Sequence, residues 1–199
     1  MTNAVIIPSC GSNLASLKFA LERLGVNVPL TEDHARIRAA SHVILPGVGA
    51  AAPGMARLAA AGLVELVPTL KQPVLGICLG MQLLFARSEE EDTRCLGVIA
   101  ADVERLAASP DLPVPQMGWN QLSVSSGSRL LDGVRDGDYA YFIHSYALPV
   151  DSYTRATTDY GVRFSSVVEQ DNFFGTQFHP ERSSLVGSRI LDNFLKIYL

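Results

Sequence analysis

The sequence predicts an α/β protein built on a parallel sheet with both faces covered, and three observations carry that prediction. Strand-like and helix-like segments alternate through the first half of the chain. The strand-like runs AVIIP (4–8) and Pro73-Val74-Leu75-Gly76-Ile77 are continuously apolar, as strands buried on both sides are. Apolar residues make up 48% of the 199 and charged residues 18%, enough for a well-buried sheet and unlike a disordered chain.

Each element follows from local pattern. After AVIIP, Ser12 or Asn13 can cap a helix that carries Leu14, Leu17, Leu21 and Leu24 on one face and closes at Gly25. Val26 to Val28 reads as a short strand. SHVILPGVG (41–49) is a strand ending in a glycine-rich turn, with helical pieces at 50–60 and 63–70 behind it. The strand at 73–77 runs into a helix from Leu79 to about Arg87. The acidic SEEEDTR (88–94) reads as a solvated loop without a function, and Pro110, Pro113 and Pro115 as a rigid connector. The second half is richer in strands, expected at 139–146, 166–170 and 173–178, the last two joined by a tight turn at Asp171-Asn172. A final helix at about 188–198 presents Ile190, Leu191, Phe194, Ile197 and Tyr198.

Composition excludes several functions. A net charge of −4 gives no basic field for nucleic acid or anionic lipid. No apolar run reaches bilayer-spanning length, and MTNAVIIPSCG has neither the charged start nor the long apolar stretch of a signal peptide. A cytoplasmic protein without membrane or nucleic-acid partners is expected. Cys10, Cys78 and Cys95 are odd in number and lack metal-ligand spacing, so neither a disulfide framework nor a metal site is expected.

One cysteine stands apart. Alone, a cysteine in an apolar stretch reads as a small buried hydrophobe. Cys78, however, lies in G-I-C-L-G, where a strand passes into a helix. That pattern is a nucleophile elbow: a sharp turn exposes the side chain at the strand end, and close packing favours glycine at both flanks. A helix start behind the sulfur favours the thiolate and positions the Leu79 amide for an oxyanion. The base candidate is His179 in GTQFHPERSS (175–184), after an apolar strand and before Pro180. Glu181 is two residues on and, in extended chain, on the same side, so it can hold one imidazole nitrogen while the other faces a thiol. Alone, His179 reads as a surface-loop histidine. His34 and His42 have nothing comparable, and His144 reads as a strand residue or site wall.

Together these residues form a Cys–His–acid constellation, and G-I-C-L-G-M-Q with F-H-P-E resembles the triad-type, class I glutamine amidotransferases. PGVG (46–49), GICLGMQLLF (76–85), QMGWN (116–120), YFIHSY (141–146) and TQFHPERSS (176–184) resemble, in order, the glutaminase subunits of imidazole glycerol phosphate synthase. The resemblance implies one domain over residues 1–199 with the class I glutamine amidotransferase fold. That fold is flavodoxin-like, a mostly parallel sheet covered by helices, with additional strands in the second half. It implies Cys78 as nucleophile, His179 as base and Glu181 as its orienter. It implies Gly47, Val48 and Gly49 as the oxyanion strand, although the same turn alone could be a tight strand-to-helix link. Gln82, one turn past Cys78, and the backbone of His144, Ser145 and Tyr146 are implied to hold substrate glutamine.

No cofactor is implied. The implied partner is a cyclase subunit, a (β/α)₈ barrel, in a heterodimer. It would combine the ammonia with PRFAR to give imidazole glycerol phosphate and AICAR. Trp119, Tyr141 and Arg182 are the candidate interface, since aromatics and arginine anchor interfaces and Trp119 follows Gly118 in an irregular segment. Pro8-Ser9-Cys10, Gln116 and Arg182 depart from the residues commoner in that family, and none of them belongs to the triad. A same-fold thiol hydrolase, a glutaminase serving another acceptor and a regulatory partner that kept the fold are the competing readings.

Overall fold

The structure is a computed structural model, and it describes residues 3–8, 14–125 and 127–198. Cys10 and the cap candidates Ser12 and Asn13 lie outside the described residues. The chain opens with β1 (Ala4–Ile6), α1 (Leu14–Arg23), α2 (His34–Ala39), β2 (His42–Gly47), α3 (Ala51–Ala60), β3 (Val74–Cys78) and α4 (Leu79–Gln82). It continues with β4 (Phe85–Ser88), β5 (Thr93–Arg94), β6 (Ile99–Arg105), β7 (Gln116–Gln121) and β8 (Ser123–Val124). The last elements are β9 (Tyr139–His144), β10 (Tyr146–Ala147), β11 (Thr154–Tyr160), β12 (Val162–Gln170), β13 (Phe173–Thr176) and α5 (Ser184–Leu195).

Among the described residues, seven strands form the main sheet in the order β1-β2-β3-β13-β12-β11-β8. β1, β2, β3 and β13 run parallel; β12, β11 and β8 continue the sheet antiparallel. Period-two alternation sends neighbouring side chains of one strand to opposite faces. Ala4 and Ile6 therefore join one core cluster with Leu17, Leu21, Phe174, Ile190 and Phe194. Val5 and Ile7 join the other, with Ile37, Leu58 and Leu66. Helices α1 and α5 cover one face and α2 and α3 the other, which is the doubly covered sheet the apolar runs predict.

Several elements differ from the sequence expectation. Val26 to Val28 is not a strand: Gly25 (φ +79°) turns the chain, and β1 instead bonds the Pro29–Thr31 stretch. Pro29 has no N–H, so pairing there stops at a single bridge, Ile6 to Leu30. The expected helix at 79–87 is one turn long. Leu79 through Phe85 are all buried, so the segment has no polar face to give solvent, and it enters β4 to pair with β6 in parallel. Only Val67–Thr69 of the 63–70 stretch is helical, as a single 3₁₀ turn.

The strand expected at 139–146 breaks at Ser145, because β9 pairs with β7 while β10 pairs with β6. Trp119 lies in the regular strand β7, not in an irregular segment. The last helix starts at Ser184 and ends at Leu195, leaving Tyr198 exposed. No described helix is long and apolar enough to cross a membrane.

Candidate active site

Three parallel strands end together. In register, Gly47 of β2 lies opposite Cys78 of β3, and Thr176 of β13 opposite Ile77. The C-terminal edge of such a sheet is where α/β proteins place ligands. A cleft of about 380 Å³ opens there, in the size range of small-molecule sites. Cys78, Leu79, Gln82, His144, Ser145, Tyr146, His179, Glu181 and Arg182 all line it, as do Val48 and Gly49.

The elbow exists because three segments of backbone touch. A Cβ on Gly80 would overlap the Leu45 carbonyl oxygen, and one on Gly76 would sit 2.6 Å from Met81 Cα. Neither position tolerates a side chain, so β3 and α4 pack against each other and against β2 through bare backbone. Cys78 itself has φ +54° and ψ −112°, a conformation rare for any residue but glycine. Its side chain is 6% exposed. The sulfur lies 3.7 Å from the Ile143 carbonyl oxygen and 3.8 Å from Gln177 Nε2.

His179 is brought in by the chain after β13. Its Nδ1 lies 2.8 Å from Glu181 Oε1, with both side chains 5% exposed. Nε2 is buried without a hydrogen-bond partner. Burial alone would push the imidazole pKa down, but the Cys78 sulfur and the Glu181 carboxylate outweigh it and raise it to about 10. The site therefore stabilises imidazolium beside sulfur. That is the electrostatic arrangement of a cysteine nucleophile with a paired base.

His144 behaves in the opposite way. Burial pulls its pKa down to about 4, only partly offset by the Tyr146 carbonyl. The neutral ring donates through Nδ1 to that carbonyl at 2.8 Å, and the Gln116 carboxamide lies 2.9 Å from Nε2. His144 is thus held as a wall of the cleft. Gln116 has a defined task, steadying that ring.

Gln82 donates from Nε2 to the Tyr146 carbonyl and to Gln177 Oε1, each at 2.9 Å. It braces the bend at Ser145 against the elbow. Gly47 does not line the cleft: a Cβ there would lie 2.9 Å from Gly80 N, so its place is packing beneath the elbow. Val48 and Gly49 do line it, and Gly49 has φ +96° with open space around it.

Two residues escaped the sequence reading. Gln177 touches the sulfur, and its spacing of two from His179 along extended chain was an available signal. Glu90 lies in the acidic stretch expected to be solvated loop. Its carboxylate instead accepts from Ala51 N at 2.7 Å, at the start of α3, and reaches the cleft wall. That contact spans 39 residues, and no local pattern announces it. Beside the cleft, Arg182 Cζ lies 4.3 Å from the Tyr141 ring centre, and Trp119 meets that ring edge-on at 6.0 Å. Among the described residues no group of His, Cys, Asp and Glu is arranged to hold a metal ion.

The family model of class-I glutamine amidotransferases matches residues 6–197. The chain is 51% identical over 192 residues to imidazole glycerol phosphate synthase subunit HisH 2 of Legionella pneumophila subsp. pneumophila, covering 96% of each chain. It is 50% identical over 197 residues to subunit HisH of Idiomarina loihiensis, covering 99% of each. Among solved structures, one glutamine amidotransferase matches with a TM-score of 0.74 at 20% identity, covering 96% of this chain and 97% of that one. A glutamine amidotransferase from Thermotoga maritima matches with a TM-score of 0.67 at 18% identity, covering 96% and 81%. At that identity these two speak for the fold alone. The chain belongs to the class-I glutamine amidotransferase family, in the branch formed by the HisH subunits of imidazole glycerol phosphate synthase.

Proposed function

We propose that the chain hydrolyses glutamine to glutamate and ammonia and passes the ammonia to a cyclase subunit of imidazole glycerol phosphate synthase. The observation that carries the reading is the buried pairing of His179 with Glu181 beside a cysteine on a strained elbow. The Cys78 thiolate attacks the side-chain amide carbon of glutamine, and the imidazolium of His179 protonates the departing ammonia. Water then attacks the thioester, with His179 now taking its proton. Glu181 keeps the ring oriented and compensates its charge.

The developing oxyanion is held by the Leu79 amide together with an amide of the Val48-Gly49 stretch. Losing one such donor costs roughly 10²–10³ in rate. Gly49 allows that stretch to rotate, so donor placement can switch with partner binding. The glutamine backbone groups lie against His144, Ser145 and Tyr146, and the Glu90 carboxylate offers the charge an α-ammonium needs.

The partner in this reading is a (β/α)₈ barrel that combines the ammonia with PRFAR, yielding imidazole glycerol phosphate and AICAR. It docks on the outer face of β7 and β9. Trp119 is 53% and Met117 62% exposed there, beside Tyr141 and Arg182, next to the cleft mouth. The test follows glutamate release from the chain alone, with the barrel, and with barrel plus PRFAR. Release should rise with each addition, and Cys78→Ala should abolish it while the complex still cyclises PRFAR from ammonium salts. Normal hydrolysis by Cys78→Ala would remove Cys78 from the mechanism.

A further inference from the structure

Ser183 is fully buried two residues after Glu181. It occupies the N-cap position of α5, where a serine hydroxyl ordinarily accepts from an amide of the first helical turn. No side-chain bond caps that helix. The hydroxyl points the other way. It accepts from the Tyr141 backbone N–H at 2.9 Å and donates to the His179 backbone carbonyl at 2.7 Å. The His179 N–H in turn donates to the Tyr141 carbonyl at 3.0 Å.

Both main-chain groups of His179 are therefore tied to one residue of β9, directly through its N–H and by way of Ser183 through its carbonyl. The His179 carbonyl also accepts from the Arg182 N–H at 3.0 Å, so what the hydroxyl alone supplies is the link from that carbonyl to β9 and the partner of the Tyr141 N–H, which closes a ring of three bonds. The side chain of Tyr141 faces outward, under Arg182 and against Trp119. One strand position thus carries an aromatic ring on the cleft rim and, through its backbone, the frame of the imidazole.

We propose that Ser183 is a positioning residue for His179, joining it to β9 so that the imidazole keeps its place against the Cys78 sulfur. The consequence for turnover rests on the glutaminase reading above; the consequence for the sulfur does not.

Two measurements on the full chain test this, using Ser183→Ala and Ser183→Thr. The first is the rate of Cys78 alkylation by iodoacetamide across pH, read from the mass of the peptide that holds Cys78. The second is kcat and KM for glutamine in the complex with the barrel. Ser183→Ala should shift the alkylation profile along the pH axis and lower kcat by about 10- to 100-fold, as a small misplacement of a reacting group does. KM should stay within about twofold. Ser183→Thr keeps the hydroxyl and should lie nearer wild type in both. Ser183→Gly replaces the alanine variant if that chain does not fold.

Wild-type kcat and an unshifted profile without the hydroxyl would overturn the proposal. So would a chain that is merely less stable, with its profile unchanged. If the wild-type complex releases no glutamate while the profile still shifts in Ser183→Ala, the substrate reading is wrong and the positioning role stands.

Discussion

The elbow at Cys78 and the ribbon of β7 and β9 border the same cleft and are built in opposite ways. From Val74 to Phe85 every residue is buried, and backbone touches backbone wherever glycine allows it. The ribbon is one-sided. Gln116, Ala140, Phe142 and His144 face inward, while Met117, Trp119 and Tyr139 face solvent. The elbow holds a strained conformation because packing on all sides leaves it nowhere to relax. The ribbon leaves apolar area exposed, which a chain without a partner has little reason to keep. In the function proposed above, chemistry sits on the packed side and recognition on the open side, and the His179–Ser183 segment lines the cleft with Cys78 and is bonded to the ribbon.

The largest expected effect compares one glycine from each region. Gly80→Ala forces a methyl into the Leu45 carbonyl, backbone on backbone, and should cost more than about 4 kcal/mol or prevent folding. Gly118→Ala on the ribbon meets open space and carries only the strain of φ +142°, about 1–3 kcal/mol. Chemical denaturation of both variants decides it; equal losses would erase the distinction between packed elbow and open ribbon.

A smaller effect follows pH. The His179 pKa is raised from 6.5 to about 10 in the folded chain, so folding takes up a proton more tightly there. The resulting stabilisation is complete below about 6.5 and fades as pH rises towards about 10. Wild type should therefore exceed His179→Ala in unfolding free energy at pH 6 by more than at pH 10, with a difference on the order of a few kcal/mol. A gap that stays constant through that range would show that the imidazole is not held as imidazolium.

The smallest effect belongs to the ribbon rim. Arg182→Glu reverses a charge stacked on Tyr141 and should weaken barrel binding by about 1–3 kcal/mol. Stability of the isolated chain should change by no more than about 0.5 kcal/mol, since the side chain is on the surface. Titrating Trp119 fluorescence with the barrel reads both the wild-type and the variant affinity. An indifferent Trp119 signal and unchanged affinity would place the interface elsewhere.

Much of the parallel half was legible in the sequence. β1 and β3, and β2 after His42, are apolar because both faces are covered, and that pattern needs no partner to be recognised. β6 (IAADVER), β7 (QMGWNQ) and β11 (TRATTDY) went unseen as strands. Each has at least one side that faces solvent or polar neighbours, and strand pairing supplies what their composition does not. The helix expected at 79–87 misled for the converse reason: a mostly apolar run of that length, broken only by Gln82 before Arg87, suits a buried helix as well as a turn followed by a strand.

The cleft divides along the same line. Cys78 between two glycines, and His179 with Glu181 at a spacing of two, are local signals, because an elbow and an extended loop impose their geometry within a few residues. The sequence alone determined those positions and the sheet edge they share. Only the tertiary structure decided that Glu90 reaches the start of α3, that Gln116 steadies His144, and that Ser183 leaves its helix uncapped to join His179 to β9. Each of those contacts closes a hydrogen bond between segments 28 or more residues apart, or turns a side chain away from its nearest local partner. Such choices depend on which buried polar groups the packed core leaves to be satisfied, and that is known only once the chain has closed around them.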